Sequence, residues 1–542
     1  MALSDVIHLT ITRQSRPLER AGFGTLLHMS MHRAWDDLIR YYTQASDMLD
    51  DHFAETDPAY IAAVSYFAQS PKPEQIAIGR IATADAVLVE IDYVEAARRY
   101  TVWIDGIGFE YASDADPTII EIEAGLTTVI NSGYTVTAAS VADDTFTIAG
   151  NHRVAFAVGA QFRVTGATNN NGTYTVESVA LSGGNTVITV EESVTSAAAT
   201  LGVIQSLTAV TATNSLAGDG QISISPSTPA TFVQITAGDL MHLNYGLSGT
   251  IAASYAAIKA EDSTGWYAVA LAHQWETTAS PVETENQADL EEALADVVEA
   301  DRKIFGIASP DANIIDVTLT SDDVTSGSIA RRLQDKAYAR SFVLYSAQAD
   351  NELDVVGGEA GGDPDPYSDA AWFGARLPTD PGRENWAFCT LIGVTADDLT
   401  ATQRANALAK SCNIYTPFTT TKAITETGTM ADGEFIDVVR LSDAIYDAVI
   451  VEVANALLGV SAPLFKVPMT REGLAVIDAA IRKALDPYVG PTRGLTSYTV
   501  TVPDIDDVSD ADKANRALTG VEFVCYLSGA VNTVAISGNV TV

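Results

Sequence analysis

The strongest constraint on the fold is an alternation of helical and strand patterns that begins at about residue 251. Helical apolar spacing occurs in YAAIKAEDST, ENQADLEEALADVVEADR and GSIARRLQDKAYA, and short apolar runs typical of buried strands occur in WYAVALAH, IFGIAS and SFVLYSA. Strands that alternate with helices at this spacing pair in parallel, because each crossover helix returns the chain to the same end of the sheet. The segment therefore predicts βαβ units and a short, doubly wound parallel sheet.

The pattern changes at about residue 133. Short Val-, Thr-, Tyr- and Phe-rich strands follow, separated by Asp-Asp, Asn-Gly and Gly-Gly turns: YTVTAAS, DTFTIAG, HRVAFAVGAQFRVTGA, GTYTVESVAL and NTVITVEES. Residues 133–205 are therefore predicted to form a separate small all-β domain, a barrel or a sandwich, inserted in a loop.

The region before this insertion mixes both patterns. Residues 35–70 predict two helices, WDDLIRYYTQASDMLDDHF and DPAYIAAVSYFAQS. YTVWIDGIGFEYAS predicts a hairpin that turns at Asp105-Gly106, and DPTIIEIEAGLTTVINSG predicts a helix that is capped by Asp116 and ends at Gly133.

The last third predicts four helices, near 368–375, 397–411, 434–458 and 470–487, and then the strands SYTVTVP and GVEFVCYLSG. The helix near 434–458 has one broad apolar stripe, typical of a core helix, formed by Phe435, Val438, Val439, Ile445, Val449 and Val453. Its polar residues are expected away from that stripe: Asp437, Arg440, Asp443 and Asp447.

Both ends of the chain have the pattern of a lone strand. VIHLTIT at 6–12 alternates apolar and polar residues, and VNTVAISGNVTV at 531–542 carries no charged residue. An isolated strand is unstable because its N–H and C=O groups need a sheet to join. Either the ends pair inside the subunit, or they extend the sheet of a neighbour. The arm residues are Val6, Ile7, Leu9, Ile11, Val531, Val534, Ile536 and Val540.

Charge and hydropathy exclude two classes of partner. The formal net charge of -39 argues against direct nucleic-acid binding, since a polyanion cannot neutralise phosphates. The strongest apolar run, at 448–465, is interrupted by Glu452 and Pro463, so stable membrane insertion is not expected. The first residues lack a basic leader ahead of an apolar stretch, so the protein is expected to be made in a cytoplasm.

No pattern predicts a catalytic residue, a metal ligand or a cofactor. Asp50, Asp51 and His52, and the acidic set Glu283, Glu285, Asp289, Glu291 and Glu292, lack convergent spacing and are interpreted as solvated acidic faces. His28 and His32 lie four apart without the glutamate of a zinc motif, so packing is preferred. The widely spaced Cys389, Cys412 and Cys525 are expected to be buried thiols.

Several segments of the last third are similar to the tail-sheath proteins of contractile phages. They are AAWFGARLPTDPGRENWAFCTLIGVTADDLT at 370–400, CNIYT at 412–416, GTMADGEFIDVVR at 428–440, VPMTREGLAVI at 467–477 and the closing strand. The resemblance covers roughly 1–30 and 370–542 well and the middle loosely. Two departures are the block at 133–205, which is not part of the common sheath core, and Arg383-Glu384, where a smaller pair is expected after Pro381-Gly382.

The resemblance implies a structural subunit, not an enzyme, with six copies per ring and rings stacked helically around a tail tube. Neighbours would be linked by terminal arms with hinges at 15–24 and 527–532, and contraction would drive the tube through the host envelope. The implied partners are other copies of the chain, the tail tube protein, and the baseplate and tail terminator proteins, and the implied location is the virion tail. The tube-facing candidates are Arg471, Arg482 and Lys483.

The predicted fold class is α+β or mixed α/β, multi-domain, with a βαβ-type sheath core, terminal strand arms and the inserted all-β domain. The predicted units are a 1–24 arm, a mixed outer region of 25–132 and 206–250, the 133–205 insert, a 251–366 α/β subdomain, a 367–526 core domain and a 527–542 arm. Two alternatives remain open: an adhesion module in which the insert binds a surface ligand such as a glycan, and an acidic metal-dependent enzyme.

Overall fold

The computed structural model describes residues 22–197, 200–214, 217–218, 220–238, 240–273, 286–318, 322–324, 327–349, 367–458 and 466–532. Its helices are α1 Ser46–Asp50, α2 Pro58–Phe67, α3 Ile119–Ser132, α4 Ile251–Glu261, α5 Gln287–Val298, α6 Asn313–Asp316, α7 Ile329–Asp335, α8 Ser368–Arg376, α9 Ala401–Ala409, α10 Ile436–Leu457, α11 Arg471–Leu485 and α12 Asp510–Asn515.

The strands are β1 Leu26–Met31, β2 Ile39–Tyr42, β3 Ile76–Ile81, β4 Thr83–Ile91, β5 Arg99–Ile104, β6 Ile107–Ala112, β7 Tyr134–Ser140, β8 Thr145–Ile148, β9 Gln161–Thr165, β10 Gly172–Ser182, β11 Asn185–Val190, β12 Val203–Ser206, β13 Val210–Thr213, β14 Gln221–Pro226, β15 Ile235–Ala237, β16 Met241–Leu247, β17 Ala268–Leu271, β18 Ile304–Ser309, β19 Ser341–Tyr345, β20 Asn413–Thr419, β21 Lys422–Glu426, β22 Leu495–Thr501 and β23 Glu522–Leu527.

The largest sheet has eight strands in the order β2-β3-β1-β17-β18-β19-β20-β21. The six strands from β3 to β20 run parallel, and the two edge strands, β2 and β21, are antiparallel to their neighbours. Helices α4, α5 and α7 cover one face, and α2 and α8 cover the other. The predicted doubly wound parallel sheet is therefore confirmed. Its strands come from three of the predicted units.

The inserted domain is a closed six-stranded barrel in the order β10-β11-β8-β7-β12-β9. Its interior is filled by alternate apolar side chains, among them Phe146, Phe162 and Ile188, which are fully buried. Its first and last strands lie side by side, with Tyr134 opposite Ile204. The predicted mixed α/β fold with an inserted all-β domain is confirmed, and the domain is a barrel.

Two smaller sheets join the barrel to the rest of the chain, one in the order β13-β14-β4-β16 and one in the order β15-β5-β6. The hairpin between β5 and β6 turns at Asp105 and Gly106, as predicted, and both residues have positive φ, 53° and 78°. This is the backbone that a two-residue hairpin turn with the right-handed twist of the strands requires.

Two local predictions are wrong. Residues 35–53 do not form one helix: Ile39–Tyr42 is an edge strand paired with β3, and only Ser46–Asp50 is helical. Helix α3 is capped by Thr118, not Asp116, because the Thr118 side chain accepts a hydrogen bond from the backbone N–H of Glu121. Its end at Gly133 is confirmed.

The last part of the chain has a separate hydrophobic core. Helices α10 and α11 pack on each other and on β22, around the buried Leu441, Ile445, Ile481 and Leu485. Cys389 and Cys412 are buried, as predicted, whereas Cys525 on β23 is only partly buried. Within the described residues, no helix is both long and apolar enough to cross a membrane.

Candidate functional site

The last two strands form a sheet of their own. β22 runs antiparallel to β23, from Leu495 opposite Leu527 to Thr501 opposite Glu522. In the part of the chain that the structure describes, no third strand pairs with either of them. Two strands alone are marginally stable in water, and the outer edge of β23 presents backbone N–H and C=O groups to a further strand. β22 already has a backbone bridge from Val489 to Leu495 and a hydrogen bond from Arg482 to the Val500 carbonyl. This sheet therefore has the geometry of an acceptor for added strands.

The side chains of β23 are unusually exposed for such an apolar strand. Phe523, Val524, Tyr526 and Leu527 are 40%, 51%, 50% and 46% exposed, although successive residues of a strand point to opposite faces. Only Cys525 is partly buried, beside the core of α10 and α11. Apolar side chains exposed on both faces of one strand make β23 a candidate interaction surface.

Most of the predicted arm residues lie outside the described residues. They are Val6, Ile7, Leu9, Ile11, Val534, Ile536 and Val540. Val531, which follows β23, is described and is 75% exposed. The role of these residues as inter-subunit arms stays a prediction.

The three predicted tube-facing cations all lie on α11, but each already has an acidic partner. Arg471 contacts Asp506 at 2.8 Å, Arg482 contacts Asp478 at 2.8 Å, and Lys483 contacts Glu452 at 2.7 Å. Their charges are thus largely neutralised within the chain, which weakens their attraction for an acidic partner. Their contact with a tube stays a prediction.

Helix α10 buries two residues that were expected away from its apolar stripe. Asp443 accepts hydrogen bonds from both terminal nitrogens of Arg340, at 2.8 and 3.0 Å, and from the Tyr267 hydroxyl at 2.8 Å. Arg440 is 1% exposed and forms an ion pair with Glu384 at 2.6 Å. The expected exclusion of these residues from the core is wrong, because acidic and basic partners from distant segments compensate their burial.

The stripe itself is also not wholly internal. Phe435 is 42% exposed, and it precedes the first residue of α10. Little in the sequence signalled the buried pair, because Glu384 lies in a segment that also carries Asp380 and Arg383.

The acidic clusters do not converge on a site. Asp289 and Glu292 both pair with Arg332, and Glu291 is buried within α5. Among the described residues, no group of three histidine, cysteine or acidic side chains could hold a metal ion. Two acidic residues of the predicted set, Glu283 and Glu285, lie outside the described residues.

The histidine pair is part of the protein core. His28 and His32 are buried, which confirms their predicted role in packing. Burial lowers the pKa of His28 to about 3, so its imidazole is uncharged at neutral pH.

Glu291 gives a pH-dependent prediction. Its burial raises its pKa from 4.5 to about 8, so the folded state holds a proton that the unfolded chain has lost at neutral pH. Stability from this group is therefore present at low pH and is lost as pH rises through about 8. We expect Glu291→Gln to match the parent at acidic pH and to exceed its free energy of unfolding by about 5 kcal/mol at alkaline pH.

Denaturant unfolding followed at both pH values measures this difference. Glu292→Gln is the matched control, because it removes an ion pair with Arg332 from the same helix. The control should be less stable than the parent at alkaline pH, and an alkaline loss in both variants would contradict the prediction.

Comparison with known proteins gives matches only among solved structures. No family model matches the chain, and no curated protein matches it. The chain is similar to a sheath tail protein from Listeria innocua, with 10% identity, a TM-score of 0.38 and 90% of each chain covered. It is also similar to the helical sheath of the anti-feeding prophage in the contracted state, with 16% identity, a TM-score of 0.33, and 56% of this chain and 78% of that chain covered.

A further similar structure is the contracted PVC sheath complex of an extracellular contractile injection system, with 12% identity and a TM-score of 0.38, covering 55% of this chain and 76% of that one. All three are sheath proteins. The segments of the last third, from 370–400 to 467–477, resemble proteins of the same class, tail-sheath proteins. Identities and TM-scores this low do not carry function from those assemblies to this chain.

Proposed function

We propose that this chain is the structural, non-enzymatic subunit of a contractile tail sheath. Six copies form a ring, and rings stack helically around the tail tube. Neighbouring copies exchange strands through their N- and C-terminal arms, and contraction of the stack drives the tube through the host envelope. The subunit is assembled in the host cytoplasm and ends in the virion tail, where it contacts the tube, baseplate and tail terminator proteins.

The observation that carries this proposal is the open sheet of β22 and β23. It is too small to be stable by itself, it has a pairing edge at β23, and its apolar side chains are exposed. Strand addition would give it backbone hydrogen bonds along a whole edge and cover those side chains. The two terminal segments with strand patterns are suitable donors.

Charge provides a second, independent argument. A formal net charge of -39 makes copies of the subunit repel one another. An assembly must therefore gain its stability from directional contacts such as strand pairing, and added salt must favour it.

Negative-stain electron microscopy of the purified chain tests the proposal. We expect rings or striated hollow cylinders, and we expect more of them at about 0.15 M salt than at about 0.01 M, since the Debye length falls from about 30 to about 8 Å. Light scattering over the same range quantifies the polymer. Monomers under every condition, including in the presence of tube protein, would contradict the proposal.

A further inference from the structure

The first residues that the structure describes are held by α10. The Nη2 atom of Arg440 donates hydrogen bonds to the Phe23 carbonyl at 3.2 Å and to the Leu377 carbonyl at 2.7 Å. The Phe23 ring also stacks on Tyr267, with ring centroids 4.4 Å apart. The segment at 22–25, which follows the predicted arm strand at 6–12 in the sequence, is thus fixed at Phe23.

The last described residues are held close by. The Ser528 backbone N–H donates to the Gly494 carbonyl at 2.9 Å, and the Ser528 hydroxyl donates to the Arg493 carbonyl at 2.6 Å. Asn385 donates from Nδ2 to the Asn532 Oδ1 atom at 2.9 Å. The segment 527–532, which was predicted to be a hinge, is therefore held at two points, Ser528 and Asn532.

The contacts that hold Phe23 and Asn532 depend on neighbouring residues of one loop, Glu384 and Asn385. Glu384 binds Arg440, which holds Phe23, and the next residue, Asn385, holds Asn532. The Asn385 side chain is itself oriented, because its Oδ1 atom accepts a hydrogen bond from the Ala387 backbone N–H at 3.0 Å.

The loop touches two other segments at Gly382. A Cβ atom added to Gly382 would lie 3.0 Å from both the Gly494 Cα atom and the Leu441 side chain. Loop 382–385, loop 493–494 and the Arg440–Leu441 turn of α10 are thus in direct contact there, beside a cavity of about 340 Å³ that residues of all three line together with 527–530. A shift of one segment at this close-packed contact displaces the other two.

We infer that loop 382–385 and Arg440 form one clamp that holds both Phe23 and Asn532, so that loosening the chain at one of these residues loosens it at the other. For its use in an assembly, this inference rests on the proposed function: in a sheath linked through both arms, the clamp transmits a pull on one arm to the other arm of the same subunit. The residues that build it include Glu384, one of the two positions at which the chain departs from the sheath motif.

Hydrogen exchange measured on the full-length unassembled chain tests the clamp. Asn385→Ala and Asn532→Ala each remove the same hydrogen bond from opposite sides. Each should raise exchange at 528–532 by about fivefold, the factor for one net hydrogen bond. Each should also raise exchange at 22–25, where the Thr25 N–H is bonded to the Gly22 carbonyl, while β18 stays protected.

A double variant, Arg440→Met with Glu384→Leu, removes the contacts that hold Phe23 instead of the one that holds Asn532. It should raise exchange at both 22–25 and 528–532. Asn406→Ala is the matched control, since it removes a side-chain hydrogen bond to the Ile315 carbonyl, outside the clamp. It should change exchange at neither 22–25 nor 528–532.

If Asn385→Ala and Asn532→Ala each affect 528–532 alone, the clamp is refuted. If the double variant does not fold, the two Asn variants still decide the question. The result does not depend on polymerisation, so failure to assemble would overturn the proposed function and leave the clamp standing.

Discussion

Arg440→Met alone is expected to lower the free energy of unfolding by about 3 to 5 kcal/mol, because it leaves a buried carboxylate without its partner. Glu384 is fully buried, and the guanidinium of Arg440 is its ion-pair partner at 2.6 Å. The same guanidinium also donates to the Leu377 and Phe23 carbonyls. A fourth acceptor is the Arg376 carbonyl, 3.4 Å from Nη1. The single substitution therefore removes one charge and four acceptor contacts together.

Replacing both members of the pair should restore much of this loss. With Glu384→Leu added to Arg440→Met, no buried charge remains, and the remaining deficit of about 1 to 2 kcal/mol comes from the carbonyls that lose their donor. Denaturant unfolding followed by tryptophan fluorescence reports this region, since Trp372 and Trp386 are buried on the same side of the sheet. Arg471→Met is the matched control, because its ion pairs are exposed, and it should barely change stability. Equal losses in the single and the double variant would contradict this account.

The parts of the fold that could be predicted from the sequence are those with local signals. The alternation from residue 251 onward predicted β17, β18 and β19 and the helices between them, because a crossover of that length imposes parallel pairing. The barrel could be predicted because short β-rich runs and tight turns repeat within it. The hairpin of β5 and β6 could be predicted because its turn requires positive φ at two residues, and Asp105-Gly106 suits that backbone.

The wrong cap of α3 is local, since Thr118 lies two residues from Asp116. The other wrong predictions depended on partners far along the chain. Ile39–Tyr42 has a helical pattern, yet it becomes a strand because β3 offers it an edge. Arg440 and Asp443 have the spacing of surface residues on an amphipathic helix. They are nevertheless buried, because each forms an ion pair, Arg440 with Glu384 and Asp443 with Arg340. Hydrophobic spacing carries no information about such pairs, since it describes one helix at a time.

The candidate site shows the same division. The sequence predicted β22 and β23. It also predicted strands at the two chain ends, almost all of whose residues lie outside the described ranges. The sequence did not show that β22 and β23 form a sheet separate from the large one. That separation depends on how the two strands pack against α10 and α11. The cations of α11 were visible as charges, but their neutralisation by Asp506, Asp478 and Glu452 requires three-dimensional contacts.

Ending the chain before Val531 is expected to abolish polymers and leave a folded monomer. The deletion removes the uncharged strand pattern of 531–542, while β22, β23 and the helices that support them remain complete. The open sheet of every copy would then lack one of its donor strands, and the repulsion between copies with a net charge of -39 would be unopposed. Sedimentation of the polymer measures the loss, and circular dichroism checks that the monomer is folded.

Asn532→Ala in the full-length chain is the matched control for this deletion. It removes the contact with Asn385 but keeps the whole strand, so it should still polymerise. Polymer from the truncated chain at the level of the parent would contradict the role of the C-terminal arm. Unfolding of the truncated monomer would show instead that the terminal strand completes the sheet of its own subunit, which is the other way in which the open edge of β23 can be satisfied.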